Sequence, residues 1–273
     1  MFKRIVLPLD GSDAAEAVIP YGEEMARNMG SSLVLFHACD DSHKQARGMH
    51  QLYLEKLTEI VRQNLNRGST GGFNVTAEHR MGDFTTSLCD YIENNGADLV
   101  IMVAHGFTSQ GTRSIADDVA RLAKCPTLLV RHQRQPGEDR VSIRRLLIPL
   151  DGTPYSQQVL SIAKPMAEKF GAEIVLFSAA KASGHSAADI ESQKQALESY
   201  LKGVTSLLNG LNVSVKVGEA NDFAVAIDEA AYQVKADMVM MVTNSRVTEW
   251  AENSISRKIL NKGATSLLIM HRR

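Results

Sequence analysis

Two short polar stretches carry much of the chemistry this chain can offer. Asp10-Gly11-Ser12 and Asp151-Gly152-Thr153 each follow an apolar run. Their carboxylates can bind a hydroxylated ligand, or they can serve the turn they sit in. Asp-Gly after a strand is turn chemistry, and Ser12 or Thr153 can cap the next helix. The third stretch runs from Met102 to Val130 and reads as a strand end, a short polar loop, a helix and another strand. A glycine-bearing loop that enters a helix N-terminus suits an anion such as phosphate. Glycine lets backbone N–H groups approach closely, and the helix end adds unpaired donors. Ser114 can join such a site. It can also close its own helix, because Ser114-Ile115-Ala116-Asp117 has the spacing of a capping box. Asp117 and Asp118 suit the positive helix end but would repel a phosphate. Arg113 would pair with an anion or stay solvated. The later counterpart, Ser254, is followed by Arg257 and Lys258, which suit an anion better.

Other chemistry is poorly represented, and no catalytic residue is expected. His105 sits beside Gly106 with no acid or nucleophile paired to it in the motif, so it reads as a loop residue and not a general base. His37, His43, His50, His79, His132, His185 and His271 show no ligand spacing, and no metal site is expected. Cys39, Cys89 and Cys125 are too few and scattered for a disulfide framework and read as buried thiols. The methionines at 102, 238, 240 and 241 read as strand core. No Ser-His-Asp order, Walker loop, dinucleotide fingerprint or His-x-x-His cluster appears.

The elements that must position these residues occur twice. KRIVLPLDGS (3–12) answers RRLLIPLDGT (144–153), an offset of 141 residues from Asp10 to Asp151. Gly30–Phe36 answers Gly171–Phe177 at the same offset. Ala97–Val103 answers Ala236–Val242, and Pro126–Val130 answers Thr265–Ile269, both at 139. So steady an offset through matching element types means two copies of one domain. The predicted boundaries are 1–132 and 143–273, with 133–142 as a linker around Pro136-Gly137. In the first copy, strands are predicted at Arg4–Leu9, Leu33–Ala38, Phe73–Arg80, Leu99–Ala104 and Thr127–Arg131. Helices are predicted from Ser12 to Gly30, His50 to Leu65, Asp83 to Asn95 and Ser114 to Lys124. The second copy predicts strands at Leu146–Leu150, Glu173–Ala179, Val213–Val217, Met238–Thr243 and Ser266–His271. Its helices are predicted at Ser156–Phe170, Ile190–Leu208, Phe223–Val234 and Ser254–Asn261. Short β-branched strands alternating with helices give an α/β fold with a parallel sheet covered on both faces.

These stretches, in order and twice over, resemble the universal stress protein family. The carriers are the strand ending in Pro-Leu-Asp-Gly-Ser or Pro-Leu-Asp-Gly-Thr, the Ala-Asp-hydrophobic strand, and Ser-Ile-Ala-Asp-Asp-Val-Ala…Cys-Pro-Thr-Leu-Leu-Val. The resemblance implies two repeats of a five-stranded, Rossmann-like (adenine nucleotide alpha hydrolase-like) domain with a role in the stress response. Members divide into ATP binders and others. The ATP pattern is Gly-x2-Gly-x9-Gly-[Ser/Thr], supported by the Asp after the first strand and backbone at the end of the second. By match, the first-half site would be Asp10, Gly11, Ser12, Ala38, Ala104, His105, Gly106, Ser109, Arg113, Ser114 and Ile115. The second-half site would be Asp151, Gly152, Thr153, Ala179, Asn244, Ser245, Asn253 and Ser254.

Both loops depart from the pattern. Gly106 fits the first glycine, but Ser109 stands at the second and Gln110-Gly111-Thr112 alone precede Arg113-Ser114. Ser245 and Thr248 replace the first two glycines of the second half, and Asn253-Ser254 replaces Gly-Ser. The leading expectation is therefore ligand or protein binding with degenerate ATP loops. The alternative is an ATP- or AMP-binding stress sensor with at most slow hydrolysis, using Asp10, Gly106, Arg113 and Ser114.

Thirty basic and thirty-one acidic residues leave a net charge of −1, so no bulk field favours nucleic acid. No apolar run is long enough to span a bilayer, and the start enters a strand with no signal-peptide core. A cytoplasmic location is the expectation. The family's fifth strand commonly pairs across a two-fold axis. That implies a pseudo-dimer of the two repeats here, besides a homodimer and a protein partner of unknown identity.

Overall fold

The computed structural model describes residues 1–39, 47–67, 72–104, 114–131, 141–243 and 254–271. The chain divides into two units, Met1–Val141 and Ser142–Arg273. Of the expected linker, Val141 and Ser142 alone are among the described residues.

Unit one runs β1 (Arg4–Pro8), α1 (Asp13–Glu16), α2 (Ile19–Met29), β2 (Ser32–Cys39), α3 (Arg47–Asn66), β3 (Val75–Met81), α4 (Phe84–Asn95), β4 (Leu99–Val103), α5 (Ile115–Leu122) and β5 (Thr127–Val130). Its strands lie parallel in the order β3-β2-β1-β4-β5. Unit two runs β6 (Arg145–Pro149), α6 (Leu160–Phe170), β7 (Glu173–Lys181), α7 (Ala187–Thr205), β8 (Val213–Ala220), α8 (Phe223–Val234), β9 (Met238–Thr243), α9 (Ile255–Lys262) and β10 (Ser266–His271). Its parallel order is β10-β9-β6-β7-β8. The central strands are buried on both faces: the consecutive residues Ile5, Val6 and Leu7 of β1 and Leu99, Val100 and Ile101 of β4 are all fully inaccessible. Continuous apolar runs are what a helix-covered parallel sheet requires.

Several predicted elements differ: α7 starts three residues early, β8 runs three residues further, and β3 and β7 shift at their ends by one or two residues. The helix expected from Ser12 to Gly30 is two, α1 and α2, with a turn at Ala17-Val18. Pro20 explains the break, because proline lacks the N–H a continuing helix needs and suits a first turn. In unit two, a 3₁₀ turn at Ser156–Val159 likewise precedes α6. The apolar pattern of α3 is also narrower than it reads. Leu54, Leu57, Val61 and Leu65 form the buried stripe at spacings of three and four, whereas Leu52 and Ile60 are exposed.

The recurring Ala-Asp pair has a structural task. Asp98 accepts from the backbone N–H groups of Lys3 (2.7 Å) and Arg4 (3.0 Å), and Asp237 accepts from Arg144 (2.7 Å) and Arg145 (2.8 Å). Each carboxylate ties the start of its fourth strand to the start of the first. This sets the central register by charge-assisted bonds of on the order of 1 kcal/mol each where water screens them.

Asp83 caps α4, accepting from Thr86 N (2.8 Å) and Thr86 Oγ1 (2.7 Å), and these bonds hold its carboxyl below the usual range. A depressed folded value means the stabilisation is present above the unfolded pKa and is lost as pH falls through the folded one. Asp83→Ala should therefore cost about 1 kcal/mol at pH 7. The penalty should shrink below about pH 4. Urea unfolding at pH 7 and pH 3 measures this, and an equal penalty at both would reject the ionic cap.

Candidate functional site

The site of unit two is built where β6 and β9 part company in connection direction, the switch point at which open α/β sheets leave a crevice beyond their strand ends. Leu150 N donates to Phe177 O at 2.8 Å and carries the β6–β7 ladder to its last rung. The chain then turns sharply. Gly152 has φ of 84°, a left-handed conformation that a Cβ would strain. Asp151 Oδ1 accepts from Thr153 N (2.9 Å) and Thr153 Oγ1 (2.6 Å), while Asp151 N donates to Ser156 Oγ (3.3 Å). Burial works to raise the Asp151 pKa, but the bonds from Thr153 and Ser156 outweigh it and hold the carboxyl below its ordinary value. It is a carboxylate at neutral pH, and the residue is exposed.

Beside this turn lies a cavity of about 350 Å³. It is lined by Pro149–Asp151 at the end of β6, Phe177–Ala179 of β7, Met241–Thr243 of β9 and Ser254–Ser256 at the start of α9, with Leu197, Phe223 and Ile227 from the helices. The lining is mainly apolar, with hydroxyls and one carboxylate at intervals, the usual make-up of a small-molecule site. Ser254 caps α9, accepting from Arg257 N at 3.3 Å. Ser256 Oγ reaches Thr243 Oγ1 at 3.2 Å and pins the first turn of α9 to the end of β9. Lys258, which the sequence offers to an anion, bonds Asp222 at 2.8 Å instead, and Arg257 is buried.

Unit one repeats the frame. Asp10 Oδ1 accepts from Ser12 N (2.9 Å) and Ser12 Oγ (2.6 Å), and Gly11 has φ of 86°. Ser12 caps α1 by accepting from Ala15 N at 3.2 Å. Ala104 N donates to Val130 O at 3.0 Å, one rung beyond β4. Ser114 accepts from Asp117 N at 3.1 Å, which is the serine half of the expected capping box, and Ile115 is exposed. Ala38 is half-buried and Ala179 buried. Of the expected site residues, His105, Gly106, Ser109, Arg113, Asn244, Ser245 and Asn253 lie outside the described residues.

The sequence reading missed the cavity walls. Phe177, Ser178, Thr243 and Ser256 lie within two positions of Ala179, Asn244 or Ser254, and that adjacency is the signal that marks them in the sequence. It also missed a cluster in unit one. At the position of Ser178, one residue before the matched alanine, stands His37. Linear spacing points to no metal site, yet the β2–β3 register sets His37 opposite His79 and Cys39 opposite Met81. Donor atoms of His37, Cys39 and His79 lie within 4.8 Å of one another.

The profile described as the Universal stress protein family matches residues 1–131 and again 142–271. The chain belongs to the universal stress protein family. It is a tandem member, with one domain in each half. A universal stress protein of Methanocaldococcus jannaschii is 25% identical over 145 residues, half of this chain and 85% of that protein. A crystal structure of a universal stress protein from Archaeoglobus fulgidus superposes with a TM-score of 0.70 at 16% identity, covering 98% of this chain and 96% of the other. A putative universal stress protein from Pseudomonas aeruginosa gives 0.74 at 14% identity, covering 99% and 94%. At these identities the structures establish the fold: two Rossmann-like α/β domains across the whole chain. No helix among the described residues is long and apolar enough to cross a membrane.

Proposed function

We propose that this tandem universal stress protein acts in the cytoplasmic stress response by binding, and that its second unit holds a small ligand. The observation that carries this is a cavity lined both by Asp151 of the turn and by Ser254–Ser256 at the α9 N-terminus. A flat or apolar body fits against Leu150, Phe177, Ile227 and Met241. Ligand hydroxyls would donate to the Asp151 carboxylate, and an anionic end would face the first N–H groups of α9. A mononucleotide of AMP type has this order of groups. A triphosphate is favoured less, because Ser245, Thr248 and Asn253 replace the glycines that would let backbone donors close on it.

Calorimetry with AMP and ATP tests the reading. One AMP per chain is expected, with affinity about tenfold weaker in Asp151→Ala, the cost of one charge-assisted bond. Failure of both nucleotides to bind at millimolar concentration would overturn it and leave protein binding. The rival reading, an ATP sensor in unit one, is favoured by the Asp10 turn and the Ser114 cap, which keep the same geometry. Its mark would be tight ATP binding that Gly106→Val removes.

A further inference from the structure

The α3-facing side of β2 and β3 in unit one gathers donors that a Rossmann-like core has no packing reason to collect. His37 is buried and pairs in register with His79; Cys39, buried two residues on, pairs with Met81. Cys39 Sγ lies 3.5 Å from His79 Nε2 and 3.6 Å from Met81 Sδ. His37 Nδ1 is 2.7 Å from Leu9 O. A carbonyl can only accept, so Nδ1 carries the hydrogen and Nε2 keeps the lone pair. That Nε2 is buried with no hydrogen-bond partner, as is Nε2 of His50, whose ring stacks on His37 at 4.6 Å. Buried polar atoms of this kind are rare and call for an explanation such as an ion.

We infer that His37, Cys39 and His79, with Met81 as a fourth donor, form a binding site for a soft d¹⁰ metal ion, Cu(I) or Zn(II). The donor chemistry selects this class: imidazole and thiolate suit both ions, and the thioether adds preference for Cu(I). The spacing agrees. Bonds of about 2.3 Å to sulfur and about 2.0 Å to nitrogen at a tetrahedral angle place the two donors about 3.5 Å apart, which is the Cys39–His79 separation. The Leu9 carbonyl on Nδ1 of His37 is the outer-shell partner that metal-bound imidazoles commonly have. The rings of His37 and His79 are stacked with planes 19° apart, so their lone pairs do not yet converge. A small turn of the His79 ring about Cβ–Cγ, a broad torsion in histidine, brings its lone pair toward that of His37, whose ring keeps its bond to Leu9 O. On coordination the Cys39 thiol loses its proton to solvent and the sulfur–metal bond takes its place. This site is separate from the second-unit cavity, and its loss would leave the ligand reading above intact.

Anaerobic titration of the reduced, metal-free full chain with Zn(II), and separately with Cu(I), each against a competing chromophoric chelator, tests the assignment. One equivalent of at least one of the two ions is expected. Cys39→Ser and His79→Gln should each lower its affinity by at least about 100-fold, more than an outer-shell change typically does. X-ray absorption of the loaded protein should show sulfur and imidazole nitrogen together. Met81→Ala separates the ions, weakening Cu(I) and sparing Zn(II). Circular dichroism of each variant checks the fold, and His79, on a half-buried strand, tolerates exchange if Cys39 does not. No competition by either ion, or binding undiminished in both Cys39→Ser and His79→Gln, overturns the proposal.

Discussion

Ala179→Phe should reduce ligand affinity by more than about 100-fold, a loss of roughly 2.7 kcal/mol, while leaving unit two folded. Ala179 lies near the end of β7, opposite Gly218 of β8, and its methyl group is part of the cavity wall. Because Ala179 lines the cavity of about 350 Å³, a benzyl ring there can extend into it. Elsewhere its neighbours are strand backbone and the Phe177 ring, which already stands 3.2 Å from where a Cβ on Gly218 would be. The ring therefore fills the space proposed for the flat part of the ligand and needs little rearrangement of the core. Empty volume is what makes such a small-to-large change tolerable, since the same change in a packed interior costs about 1–3 kcal/mol. Calorimetry with AMP reads the affinity, and far-ultraviolet circular dichroism shows whether the fold is kept. Unchanged affinity in a folded variant would place the ligand away from this cavity.

Much of the architecture could be read without coordinates, because it rests on local rules applied twice. The Pro-Leu-Asp-Gly stretches end strands in left-handed glycine turns, and Ser12, Ser114 and Ser254 cap the helices they precede. The break between α1 and α2 was legible in principle from Pro20, but an alanine-rich run masked it. The cavity and the histidine cluster are different in kind. Their residues come from strands and helices that are far apart in sequence, and what joins them is parallel register. His37 and His79 are 42 positions apart, and β2–β3 pairing alone makes them neighbours. Ser178 and His37 show the same limit in another form. The two positions are equivalent by repeat, yet one is a small hydroxyl lining an open cavity and the other an imidazole in a stack of three. Aligning the halves reveals the substitution; what it does depends on β3 and α3, where the halves share little sequence. The duplicated frame has thus been kept while the chemistry at its strand ends has diverged.

Phe36→Ala should destabilise unit one by about 4 kcal/mol, within the range of buried aromatic truncations. Phe36 is fully inaccessible on β2 and meets two rings of α4, Phe84 edge-on at 6.3 Å and Tyr91 tilted at 5.5 Å. Each such contact adds about 0.5–1.5 kcal/mol beyond area burial. Removing the ring leaves a void bounded by β-sheet backbone on one side and a capped helix on the other, neither of which can collapse far. Amide exchange in β1, β2 and β4 should accelerate by roughly 1,000-fold, because these strands open only when the unit does. Phe36→Leu, which refills much of the void, should cost about half as much. Its counterpart in unit two behaves differently. Phe177 already borders open space, so Phe177→Ala enlarges a cavity that exists and should cost less than Phe36→Ala, though the two share an offset, a strand position and a backbone bond to the residue after the first strand. Equal costs for the two truncations would mean that the second-unit cavity is closed in solution, and acceleration below tenfold for Phe36→Ala would mean that α4 repacks over β2.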